Sequence, residues 1–117
     1  MITLKETKGK MLADSRWWKL YFYDFVDDFR RRRNPEMIAE SFELSDEKID
    51  ALLASTVEKL CEELNVPIPD WIKEIPACRK PYFVSGLENL KAASIVQSPL
   101  KFKMRNVFVT ENFLSRV

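Results

Sequence analysis

The feature that most constrains the fold is the stretch from Leu64 to Val117, which holds five of the six prolines. Proline removes a backbone donor and breaks helices, so no long helix can form there. Trp71, Ile72, Tyr82, Phe83, Leu87, Leu90, Ile95, Val96, Leu100, Phe102, Val107, Phe108, Val109, Phe113 and Leu114 are spread through the same stretch. Disordered segments lack such apolar surface. Residues 64–117 therefore read as an ordered, irregular wrap that needs something to cover.

Two amphipathic segments supply it. Trp18, Phe22, Phe25, Val26 and Phe29 recur at three- and four-residue steps, which predicts a helix over about 15–33. Asp14 and Ser15 are candidate N-caps, and Pro35 restricts Asn34, ending the helix there. Ile49, Leu52, Leu53, Val57, Leu60, Cys61 and Leu64 predict a second helix over about 46–64, capped by Ser45 and closed at Asn65. The two helices are expected to pack on each other. Residues 1–13 carry no clear apolar stripe and need not be ordered. Short helices are expected at 36–42, 70–74, 86–94 and 99–104, with an unpaired strand-like segment at 106–109. The fold class is mainly α, a single domain over 117 residues.

Composition excludes much chemistry. There is no histidine and there are only two glycines. Histidine-based triads and glycine-rich phosphate loops cannot be built, and two cysteines without histidine make a poor zinc set. No catalytic residue, cofactor or metal is expected. The net charge is +1, so no global field favours nucleic acid or an anionic membrane. The chain has no apolar run of membrane-spanning length and no secretory leader pattern. Cys61 and Cys78 read as buried free thiols. A cytoplasmic location fits these readings.

Four groups of residues remain. Asp24 and Asp28 share a helix face and could hold a cation; the plainer reading pairs Asp27 and Asp28 with the following arginines. Arg30, Arg31, Arg32 and Arg33 complement a helix C-terminus or contact an acidic or phosphate partner. Lys101, Lys103 and Arg105 alternate with Phe102 and Met104, which suits an extended segment with one buried face or a weak nucleic-acid stripe. Trp17 and Trp18 point about 100° apart on a helix, so one of them lies on a surface that either the wrap or a partner covers.

Several elements resemble a bacterial family of small helical proteins. They are Phe25-Val26-Asp27-Asp28-Phe29-Arg30, Pro69-Asp70-Trp71, Pro81-Tyr82-Phe83 with Ser85, Gly86 and Leu87, Ser98-Pro99 with Phe102, Arg105-Asn106-Val107-Phe108-Val109, and Leu114-Ser115-Arg116. The chain departs from the family pattern at Tyr82, where tryptophan is common, and at Lys101 and Lys103, which replace arginines. The family occurs alone or fused to helix-turn-helix regulators, often encoded beside nucleotidyltransferase-like proteins in a toxin–antitoxin-like arrangement. The resemblance implies a non-catalytic protein-interaction module, the antitoxin-like or regulatory partner of a nucleotidyltransferase-type toxin. The alternative is a nucleic-acid-binding or transcription-regulator accessory domain. The surfaces expected to serve either role are Trp17, Arg30–Arg33, Lys101, Lys103 and Arg105.

Overall fold

In the computed structural model, which describes residues 1–115, the chain is mainly helical. Its helices are α1 (Leu4–Ala13), α2 (Trp18–Arg32), α3 (Glu47–Leu64), α4 (Asp70–Lys73), α5 (Lys91–Gln97) and α6 (Leu100–Lys103). Two-residue strands β1 (Tyr82–Phe83) and β2 (Val107–Phe108) pair in parallel, Tyr82 opposite Val107 and Phe83 opposite Phe108. The strand-like segment thus has a partner. Arg116, the last residue of the Leu114-Ser115-Arg116 element, lies outside the described residues.

Helix α3 is the centre. Every residue from Asp50 to Glu58 is buried, so α3 is covered on all sides rather than along one stripe. Ala51, Ala54, Ser55 and Thr56 are small enough for neighbours to approach closely there. Its N-cap is Asp46, not Ser45: the Asp46 carboxylate accepts from Ile49 N at 3.0 Å. Asn65 closes it in the left-handed conformation at φ 57°, as expected.

Of residues 1–13, which the sequence left without a structural role, Leu4–Ala13 form α1. Thr3 caps it by accepting from Glu6 N. Leu4, Thr7, Lys8 and Met11 face inward at helical spacing. Two of those four are polar, which hides the apolar stripe. Lys8 is buried because a site is built for it. Its ammonium lies 2.7 Å from Asp50 Oδ1, donates to the Glu43 carbonyl and sits 4.4 Å from the centre of the Phe42 ring. Asp50 Oδ1 makes no aligned hydrogen bond, so the ion contact alone holds it. Asp50 Oδ2 accepts from Ser45 N and Asp46 N.

In α2, Phe22, Phe25, Val26 and Phe29 are buried as expected. Neither Asp14 nor Ser15 caps it; a 3₁₀ turn over Ser15–Trp17 leads in, without a side-chain cap. Pro35 forces Asn34 to be extended, so the chain reverses one residue earlier, at Arg33 with φ 52°. The expected helix at 36–42 is a 3₁₀ turn, Pro35–Ile38, capped by Asn34. The backbones lying closest are α1 with α2 and α3 with α6, not α2 with α3. The phenylalanines of α2 and the apolar residues of α3 nevertheless belong to one buried core.

The wrap covers this core through few, specific bonds. Trp71 Nε1 donates to Ile38 O at 3.0 Å, its ring edge-on to Phe42. Phe102, Val107 and Val109 are buried. Phe113 packs on Phe22, Tyr23 and Phe102, and Tyr23 Oη donates to Phe113 O at 2.6 Å. Phe83 and Phe108 stack on each other and are only partly buried. The helix expected at 86–94 falls at 91–97, after a 3₁₀ turn over Glu88–Leu90. Ser98 does not cap α6. Its Oγ accepts from Val109 N at 2.8 Å, and its single hydrogen serves Ser94 O at 2.5 Å or Val109 O at 3.0 Å.

Candidate protein-interaction surface

The two basic clusters are largely spent within the molecule. Arg30 forks onto Glu63 of α3 at 2.9 and 3.0 Å and donates to Leu114 O. Arg31 and Arg32 both bond Asp28 Oδ1, while Ile2 N donates to Asp28 Oδ2 at 2.9 Å. The Ile2 bond, followed by the two arginines, holds the Asp28 carboxyl well below the usual carboxylate range. Asp28 is therefore a clasp between the N-terminus and α2. The proposed cation position at Asp24 and Asp28 is not part of any metal-sized acidic group among the described residues.

The second cluster lies on α6 and just beyond it, so the basic–apolar alternation is not an extended segment. Arg105 is buried, which removes it from any surface role. It donates to Ile72 O, Ile75 O and the Glu58 carboxylate. Lys101 lies 3.4 Å from Glu58 and 3.7 Å from Glu62. Lys103 is exposed and reaches Val96 O at 3.4 Å. Carboxylates of α3 thus stand beside both clusters, Glu63 at Arg30 and Glu58 and Glu62 at Lys101. The basic groups do not merge into one unopposed patch.

The thiols are free and buried. Burial, with help from Glu58, pushes Cys61 up to about 11, and burial raises Cys78 as well. Neither is an activated nucleophile.

The tryptophan pair divides as the helix geometry requires. Trp18 packs edge-on to Phe22, whereas Trp17 is 52% exposed, with Leu20 and Leu12 exposed nearby in sequence. The wrap does not cover Trp17.

A larger feature was not anticipated. On α5, on α6 and at the C-cap of α6, Ile95, Val96, Leu100 and Met104 are 51, 77, 69 and 63% exposed. Four large apolar side chains are thus exposed within ten positions, a strip along the chain. The reason lies in the inverted polarity of α5. Ser94 and Ser98 turn inward, where backbone carbonyls satisfy them, and this rotation points Ile95 and Val96 outward. An apolar residue in a wrap is read as core by default; only the serine–backbone bonds show the rotation. Beside the strip is a notch of about 290 Å³ lined by Glu58, Ile68, Lys73, Ile75, Ala77, Lys101, Met104 and Arg105.

No helix among the described residues is long and apolar enough to cross a membrane. Comparison with protein-family models, curated proteins and solved structures returns no match.

Proposed function

We propose that this chain is a non-catalytic protein-interaction module that binds its partner through the α5–α6 strip, with Trp17 as a second exposed aromatic. The observation that carries this reading is the strip of Ile95, Val96, Leu100 and Met104. Contiguous exposed apolar surface is costly in water and marks interaction sites. The partner class comes from the family resemblance: a nucleotidyltransferase-type toxin to which this chain is the antitoxin-like or regulatory partner. Nucleic-acid binding is the weaker reading, because Arg30, Arg31, Arg32, Lys101 and Arg105 already face carboxylates, and phosphate binding needs cations free to displace counterions.

Co-expression with the product of the adjacent gene tests the proposal. The wild-type chain co-purifies and relieves growth inhibition. Val96→Glu with Leu100→Glu abolishes both effects while the helical circular-dichroism signal stays unchanged, since both side chains are exposed. A lone monomer that gives no rescue refutes the reading.

A further inference from the structure

The chain just beyond the strand pair builds a recess against α2. Val84 N donates to Phe108 O at 3.1 Å, so the two arms stay joined past Phe83 and Phe108. Each arm then turns. Gly86 N donates to Phe83 O, with Gly86 at φ 70°, and Phe113 N donates to Thr110 O. The Tyr23 hydroxyl, donating to Phe113 O at 2.6 Å, fastens the second turn to α2. Residues of these three segments line a cleft of about 400 Å³, within the range of about 300–1,000 Å³ usual for small-molecule sites.

The lining is of two kinds. Tyr23, Val84, Val109 and Phe113 supply apolar surface, while Lys19, Ser85, Thr110 and Asn112 supply polar groups. Lys19 is the one charged residue among the described residues that line the cleft. Its ammonium pairs with no carboxylate of the described residues and sits 5.8 Å from the centre of the Trp18 ring. Glu111, between Thr110 and Asn112 in the chain, does not line the cleft. The side chains of Thr110 and Asn112 bond none of the described residues. Ser85 Oγ accepts from Leu87 N at 3.3 Å, which leaves its own hydrogen to give. One uncompensated cation and three hydrogen-bonding side chains therefore face an otherwise apolar cleft.

We infer that this cleft binds a small organic acid with a single carboxylate and an apolar body. The carboxylate meets Lys19 and the hydroxyl and amide groups, and the body lies against Tyr23, Phe113, Val84 and Val109. A second negative charge would face apolar walls without a partner, which is costly. The cleft shares no residue with Ile95, Val96, Leu100 and Met104, so this inference does not rest on the interaction reading and either can fail alone.

Amide-resolved NMR titration of the full chain tests it with phenylbutyrate, its uncharged amide phenylbutyramide and its cationic counterpart phenylbutylamine. Phenylbutyrate should shift Lys19, Tyr23, 84–85 and 109–113 saturably and bind about fivefold more tightly than the amide, with the amine weakest. Lys19→Gln should lower the acid to the affinity of the amide and leave the amide unchanged. Ser85→Trp fills the cleft from an exposed position and should remove binding of all three probes, with unchanged signals elsewhere reporting a retained fold. Equal binding of the three probes overturns the inference, as does an acid that Lys19→Gln does not weaken or that still binds Ser85→Trp. Saturable shifts confined to residues 95–104, or none at the cleft up to roughly 10 mM, where a ligand of millimolar affinity is mostly bound, overturn it as well.

Discussion

Replacing Arg105 by methionine isolates the energetics of the wrap. The Arg105 guanidinium bonds Glu58 at 2.5 Å, Ile72 O at 2.8 Å and Ile75 O at 3.1 Å. Both members of the pair are buried. Methionine keeps most of the side-chain stem but leaves the Glu58 carboxylate with only Lys101 and strands the Ile75 carbonyl, while Ile72 O keeps Ile75 N as a donor. Removing one partner of a buried pair costs about 3–5 kcal/mol, and the stranded acceptor adds to the loss on the order of 1 kcal/mol or more. Lys101 and water entering the notch offset part of this, so the expected loss is about 3–4 kcal/mol. With a urea slope of roughly 1.5 kcal/mol/M, the unfolding midpoint falls by about 2 M or more. Urea titration followed by far-UV circular dichroism and tryptophan fluorescence measures it. The double variant Glu58→Leu with Arg105→Met should lose less than the sum of the two single changes, because no uncompensated charge is left inside. An Arg105→Met protein within about 1 kcal/mol of wild type would refute the reasoning. So would a double variant as unstable as the sum.

Further outcomes follow from other parts of the fold. Deleting residues 1–13 removes buried Leu4 and Met11, about 1.5–3 kcal/mol each, and strips Asp50 of Lys8; the remainder should lose cooperative thermal unfolding and NMR dispersion. Asp28 has a depressed folded-state pKa, so its contribution is complete above the unfolded carboxylate value and is lost as pH falls below it. The stability gap between wild type and Asp28→Asn should therefore be full at pH 7 and narrow steadily below about pH 4; a gap independent of pH counts against the clasp. Cys61 and Cys78 should resist a thiol reagent at pH 8 in the native protein and react in urea, because burial raises both. Ser98→Ala should cost about 1–3 kcal/mol by leaving Val109 N without its acceptor, measured by the same denaturation.

The resemblance elements prove to be joints of the fold. Trp71 ties α4 to Ile38 O, Arg105 ties the wrap to α3, and Asn106, at φ 60°, donates through its side chain to Cys78 O. Ser98 fastens α5 to the segment after β2. Each is a polar side chain bonding a group at least 11 positions away in the chain, which is what holds an irregular segment in a single arrangement. None of them reaches the exposed strip.

The sequence by itself determined the mainly helical class, the buried faces of α2, the length of α3 and its stop at Asn65, because these follow from local period and from proline and asparagine geometry. It also determined that the stretch after Leu64, as far as residue 115, is an ordered cover. Tertiary structure decided the rest. Polar Thr7 and Lys8 become inward residues of α1 only because Asp50, Glu43 O and Phe42 meet them from distant positions. Arg105 leaves the surface because Glu58 and two carbonyls await it. Ile95, Val96 and Leu100 leave the expected core because Ser94 and Ser98 find backbone partners inside. In the first two cases a partner remote in sequence reverses what the side chain's own hydropathy suggests; in the third, carbonyls one helical turn back, together with Val109 O, do so.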